Sequence, residues 1–181
     1  IGAYERHVIF VDGSVFSSQE DGSSWDQAFN TLQEALDVAV AGDEIWVAQW
    51  TYKPRIDYGL TDTVPDPNRL KHFRLINGVA IYGGFAGTET FLYERDWVSN
   101  VTVLSGDIGT PGDSTDNSYH VVTTSGTDDT AVLDGFTITG GNADASVTAS
   151  AKLPAQLEGL DAEALARDAK PTLSGSLVSG T

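Results

Sequence analysis

The chain has 181 residues, 10 basic against 26 acidic side chains, a formal net charge of −16 at pH 7, and neither cysteine nor methionine. Its length gives one domain with room for a core and an appendage, and no apolar run approaches the length of a membrane span. The acidity excludes nucleic acid, whose phosphates would be repelled, and the missing cysteines exclude thiolate catalysis, disulfides and thiolate metal sites.

In chain order, His7-Val-Ile-Phe-Val-Asp-Gly13 reads as a strand ending in a turn, and residues 14–24 as a polar loop. Ser24 with Gln27 makes a capping-box pattern. Trp25, Phe29, Leu32, Leu36 and Ala39/Val40 then recur at helical spacing, so an amphipathic helix closed by Gly42 is expected. Such a helix would cover the unpaired edge of a first strand, and residues 1–45 are read as an N-terminal strand and capping helix.

Glu44-Ile-Trp-Val-Ala48 is the next strand, Thr51-Tyr-Lys-Pro54 leaves it, and residues 55–71 form a surface loop with Pro65 and Pro67. Beyond it one grammar returns: a β-branched run followed by Gly, Asn, Asp or Ser. It occupies Phe73–Thr90, Asn100–Gly106, Ser118–Thr124 and Ala131–Gly141. From Val79 to Val101 and from Val101 to Tyr119 the spacing is about 22 and then about 18 residues, too long for hairpins and short for strand–helix–strand crossovers. One turn of a parallel β-solenoid fits it, with residues 46–143 as its few coils; an antiparallel sandwich is the alternative. From Asn142 the grammar changes. Residues 144–181 read as a C-terminal tail, helical over Leu153–Lys170 until Pro171 stops it, with a last strand in Thr172–Ser179.

The runs Gly22-Ser-Ser-Trp-Asp-Gln-Ala-Phe29, Leu32-Gln-Glu-Ala-Leu36, Gly42-Asp-Glu-Ile-Trp-Val-Ala48, Asn77-Gly-Val-Ala-Ile-Tyr-Gly-Gly-Phe-Ala-Gly-Thr-Glu-Thr90, Glu94-Arg-Asp-Trp97 and Leu133-Asp-Gly-Phe-Thr-Ile-Thr-Gly-Gly-Asn142 carry a resemblance. Over residues 8–143 the chain resembles the N-terminal region of bacterial extracellular right-handed parallel β-helix proteins, of the polymorphic outer-membrane and choice-of-anchor types. The resemblance implies an all-β, right-handed parallel β-helix. In that family the segment opens a longer helix with many more coils, whereas here a helical tail follows Asn142. The absence of an initiator Met fits a removed signal peptide or an excised fragment, and the expected location is extracellular or the cell surface.

Chemistry is expected at few places. The loop Ser105–Asn117 sets Asp107, Asp113, Asp116 and Asn117 around glycine turns; hard oxygen ligands on a flexible loop suit calcium, with Asp128 and Asp129 as further ligands. The same pattern also describes solvated turns without metal, and no cofactor is otherwise required. Trp50 and Tyr52 are the carbohydrate-binding candidates, while Trp25 and Trp46 fit a cap-to-coil core. His7, His72 and His120 lack metal spacing, and Arg74 and Arg95 read as charge partners. Pairs such as Glu94/Asp96 and Asp43/Glu44 arise by chance among 26 carboxylates, so a polysaccharide lyase or glycosidase ranks last and no catalytic residue is assigned.

The leading expectation is therefore an extracellular structural protein whose copies assemble head to tail into a filament or surface layer. Its own second copy is the partner, and Leu157, Leu160, Leu165, Leu173, Leu177 and Val178 of the tail are the assembly residues. An adhesin module that binds surface glycans is the alternative.

Overall fold

The computed structural model describes residues 7–15, 19–58, 66–124 and 126–144, and the backbone of residues 172–174 and 177–178. It is built from short strands: β1 (Val8–Val11), β2 (Glu44–Ala48), β3 (Thr51–Tyr52), β4 (Phe73–Arg74), β5 (Ala80–Phe85), β6 (Thr102–Ser105), β7 (Val122–Thr123), β8 (Val132–Asp134), β9 (Phe136–Thr139), β10 (Thr172–Ser174) and β11 (Leu177–Val178). The α-helix of the described residues, α1, spans Leu32–Val38.

The strands form three sheets with the orders β1-β2-β5-β8-β10, β11-β9-β6-β3 and β4-β7. Every pairing between these strands is parallel, which removes the antiparallel sandwich. The chain visits the sheets in a fixed order: β2, β3, β4, then β5, β6, β7, then β8, β9, and finally β10, β11. This corrects the meaning of the repeat spacing. Segments about 20 residues apart lie in different sheets and do not pair. The paired residues are Glu44 with Ala80, 36 positions on, and Ala80 with Val132, 52 positions on.

Register explains the core. Ile9 pairs with Ile45, Ile45 with Ile81 and Ile81 with Leu133, so one aliphatic ladder runs across four strands, each member no more than 2% exposed. Tyr52, Leu104, Phe73 and Phe136 complete the interior from the other two sheets. Burying each such aliphatic side chain stabilises by roughly 1.5–3 kcal/mol as an upper bound. The alternate residues Phe10, Trp46 and Tyr82 form a second ladder on the opposite face. There Phe10 meets Trp25 edge-on at 4.8 Å, and Trp46 stacks on Phe85 at 4.8 Å. The Trp25 indole also donates to the Glu89 carbonyl at 2.9 Å, bringing the 86–97 loop over this face. A bulge lies between Trp46↔Tyr82 and Ala48↔Phe85, where Gly83 and Gly84 oppose the single residue Val47.

The expected helix is shorter and starts later than its capping pattern predicts. Trp25–Gln27 is a single 3-10 turn whose preceding Ser24 makes no side-chain cap. Residues 28–30 then extend and bridge β1, because the outer edge of β1 needs partners. Phe10 N–H donates to Gly22 O, Phe29 N–H to Phe10 O and Asp12 N–H to Phe29 O, each at 2.9 Å. α1 begins only at Thr31, which forms the true capping box with Glu34, and its buried Leu32, Ala35 and Leu36 pack toward the core beside β1. The helix ends at Ala39, before Gly42, which lies in the turn into β2.

The tail helix expected over 153–170, with Leu157, Leu160 and Leu165, lies outside the described residues. Of the expected last strand, β10 pairs with β8 and β11 with β9, placing Leu173, Leu177 and Val178 in register with Leu133, Thr137 and Ile138.

Candidate functional site

Among the described residues, two places gather polar chemistry. The first is a cavity of about 430 Å³ at the corner between β2 and β3, lined by Asp12, Ser14, Gln49, Trp50 and Val101 among others. Trp50 stands at the corner, half exposed, with its ring lying so close over Gly13 that a β-carbon there would sit 2.3 Å from Cδ1. Asp12 is buried, and its Oδ1 accepts from the Ser14 N–H at 2.8 Å and the Ser14 hydroxyl at 2.7 Å. These bonds orient the carboxylate beside the indole. A half-exposed aromatic ring next to a fixed acceptor is the pairing that sugar rings use, apolar C–H face against the ring and hydroxyl to the acid. Asp12 is the sole carboxylate among these lining residues, so the cavity lacks the acid pair of a glycosidase.

Tyr52 does not share that cavity. Its ring is buried, its hydroxyl donates to Ala48 O at 3.1 Å and accepts from Gly13 N–H at 3.1 Å. Burial, with Asp12 nearby, raises its phenol well above the ordinary range. It is a core residue that supports the corner, and a sugar cannot stack on it.

The second place is the loop after β6. Gly106 O accepts Ser118 N–H at 2.8 Å, pinching residues 107–117 into a closed loop. Asp107 Oδ2 takes the N–H of Gly112 at 3.2 Å and Asp116 Oδ2 that of Thr110 at 2.7 Å, so both carboxylates reach back to the loop's own tip. Asp113 behaves differently. It caps the 3-10 turn Ser114–Asp116, accepting from the Thr115 N–H at 2.9 Å and hydroxyl at 2.6 Å, and these bonds hold it below its ordinary value. Asp113 is thus the cap of that turn. Asp128 accepts from the Thr130 N–H, and its own N–H goes to Asn77. Among the described residues no three His, Asp or Glu side chains converge as a metal set.

The chain matches no protein-family model, no curated protein and no solved structure.

The remaining candidates are structural. Glu94 Oε2 accepts from the N–H groups of Thr90 and Phe91, and Asp96 from those of Val98 and Ser99. Asp43 accepts from Val40 N–H, and Glu44 from the Trp46 indole at 3.0 Å. Arg95 pairs with Asp134 at 2.6 Å and lies over the Tyr82 and Trp97 rings. Arg74 stacks on Tyr58. His72 is buried, with Nδ1 2.8 Å from Leu70 O, and burial lowers it from its ordinary value.

Two residues escaped the sequence reading. Asp12 looked like a turn residue, since nothing local shows that it will be buried against Gly87 and Ser14. Arg69 sits in a proline-rich loop, yet it is 7% exposed, donates to Asn117 O at 2.6 Å and Asn142 O at 2.8 Å, and pairs with Asp144 at 2.6 Å. Its guanidinium also stacks on Tyr119 at 4.1 Å. An arginine in a loop of this composition gives no local signal of such burial.

Proposed function

We propose that residues 8–139 are successive coils of a parallel β-helix, and that the protein is a non-catalytic extracellular scaffold that associates by strand addition at one end. The cyclic order of the three sheets and the in-register aliphatic ladder support the coil reading. The observation that carries the functional reading is the difference between the two ends of the five-stranded sheet. At β1 the outer edge is occupied by the segment around Gly22 and Phe29 and flanked by α1. At the other end, among the described residues, β10 is the last strand of its sheet and β11 ends the four-stranded sheet. Two parallel edges offer backbone donors and acceptors to an incoming strand, and a second copy supplies one. The net charge of −16 opposes that approach until cations screen it.

Negative-stain electron microscopy and sedimentation of the full chain across salt concentrations test this. Assembly that rises with salt and vanishes when residues 144–181 are deleted is expected. A chain that stays monomeric in every condition removes the scaffold reading.

The Trp50 cavity favours a second reading, a glycan-binding module, because Asp12 and the indole are held together there. Binding on a glycan array that is lost in Trp50→Ala, with the fold retained, would select it.

A further inference from the structure

The 107–117 loop contains three side-chain oxygens that no donor reaches. Asp107 Oδ1, Asp116 Oδ1 and Asn117 Oδ1 are each buried at the atom and accept no hydrogen bond. Asn117 as a whole is 7% exposed. Asp107 and Asp116 accept N–H groups two residues apart in the same loop, those of Gly112 and Thr110, and Asn117 follows Asp116. Asp107 follows Gly106 and Asn117 precedes Ser118, and these two glycine and serine backbones are hydrogen-bonded at 2.8 Å. Asp107 and Asn117 therefore flank one bond at the loop's base, and Asp116 is adjacent.

An acceptor buried without a donor costs about 1–3 kcal/mol, more when it carries charge. The hydroxyls of Ser118 and Tyr119 are buried and reach no partner, so they donate to none of the three oxygens. Arg69 meets the loop through the Asn117 carbonyl, and its charge is paired with Asp144. A single water donates to two acceptors and neutralises no charge. A cation supplies the counter-charge that water cannot.

We propose that this loop binds one calcium ion through Asp107, Asp116 and Asn117. The ligands are all hard oxygens on a glycine-rich loop, the combination calcium accepts with variable geometry, whereas magnesium demands a stricter octahedron and keeps its waters. Loop carbonyls and solvent complete the shell. With two carboxylates the affinity falls in the range of extracellular calcium modules, a dissociation constant of about 0.1–1 mM. Asp113, engaged as a turn cap, takes no part. This site does not depend on the scaffold reading.

The test is calorimetric titration of the full chain with calcium chloride and with magnesium chloride, beside Asp107→Asn, Asp116→Asn and the control Asp113→Asn. Expected are saturable binding of one calcium, much weaker binding of magnesium, and a loss of about 10-fold or more in each of the first two variants. Asp113→Asn is expected to bind within about 2-fold of the parent, since its turn lies outside the ligand set. No saturable calcium binding overturns the proposal. So does an equal loss in Asp113→Asn, which marks diffuse attraction to an acidic surface. If the two variants do not fold, hydrogen exchange on the native chain decides: protection of residues 107–117 by calcium supports the site, and unchanged exchange there refutes it.

Discussion

Gly135 has a φ of +82°, and a β-carbon built on it would lie 2.7 Å from the carbonyl oxygen of Gly83. Gly83 returns the constraint, since its own β-carbon would lie 2.6 Å from Gly135 O. The two backbones touch where the chain passes from β8 to β9, so neither side chain strain nor overpacking can be relieved by rotating a rotamer. Gly135→Ala is expected to cost about 3 kcal/mol or more from left-handed strain plus backbone collision. Gly42 provides the comparison, with a φ of +105° but open space around its would-be β-carbon. Gly42→Ala is expected to cost only about 1–2 kcal/mol, the conformational part alone. Urea unfolding of both variants checks the difference; equal costs would show that the Gly83–Gly135 contact yields. The acidic residues also make sense at this scale. Asp12, Asp21, Asp66, Asp113 and Asp128 each stand two positions before a Ser, Thr or Asn whose N–H they accept. Much of the carboxylate content is turn chemistry, which is why acidic pairs in the sequence say so little about catalysis.

At the scale of elements, α1 is seven residues long, below the length at which a helix holds itself together, so its cap and its packing must do so. Thr31 Oγ1 accepts the Glu34 N–H at 3.3 Å while Glu34 Oε2 accepts the Thr31 N–H at 3.1 Å. Thr31→Ala is expected to lose about 1 kcal/mol, read by thermal unfolding, whereas Ser24→Ala should lose little because Ser24 caps nothing. The sequence pattern favoured Ser24, and the reason for the error is instructive. Residues 28–30 had helical spacing, but the unpaired edge of β1 required hydrogen bonds that only an extended segment supplies. Strand positions were legible because β-branched runs followed by glycine report local conformation. Which strands pair was not, since Glu44 and Ala80 are joined by tertiary register that no local spacing records. The loop of Asp107 was legible as oxygen-rich. The capping role of Asp113 was not, because an aspartate that caps a turn and one with a buried oxygen look alike in sequence.

For the molecule as a whole, pH separates two groups of titrating residues. His72 is buried among Tyr58, Arg74, Asp57 and His120, and burial is the largest cause of a value below its ordinary 6.5. Above that value both folded and unfolded chains hold it neutral. As pH falls below 6.5 the unfolded chain takes a proton that the folded chain refuses, so stability declines until the folded histidine titrates as well. Desolvation lowers His120 in the same direction. Asp21, Asp96, Asp113 and Asp128 are held below 3.8 chiefly by hydroxyl donors, so their contribution is present above that value and is lost as pH falls through their folded values. Acid unfolding is therefore expected to show a first loss of stability beginning near pH 6.5 and a second below about pH 4. His72→Gln separates them, because an uncharged side chain at that position removes most of the first phase and leaves the second untouched. Thermal melts of parent and variant between pH 3.5 and 7.5 make the measurement, at constant ionic strength because a charge of −16 responds to salt as well. A parent whose stability is flat between pH 5 and 7 would show that solvent reaches His72 when it is charged, and that the contact between the segment before β4 and the loop carrying Tyr58 opens at little cost.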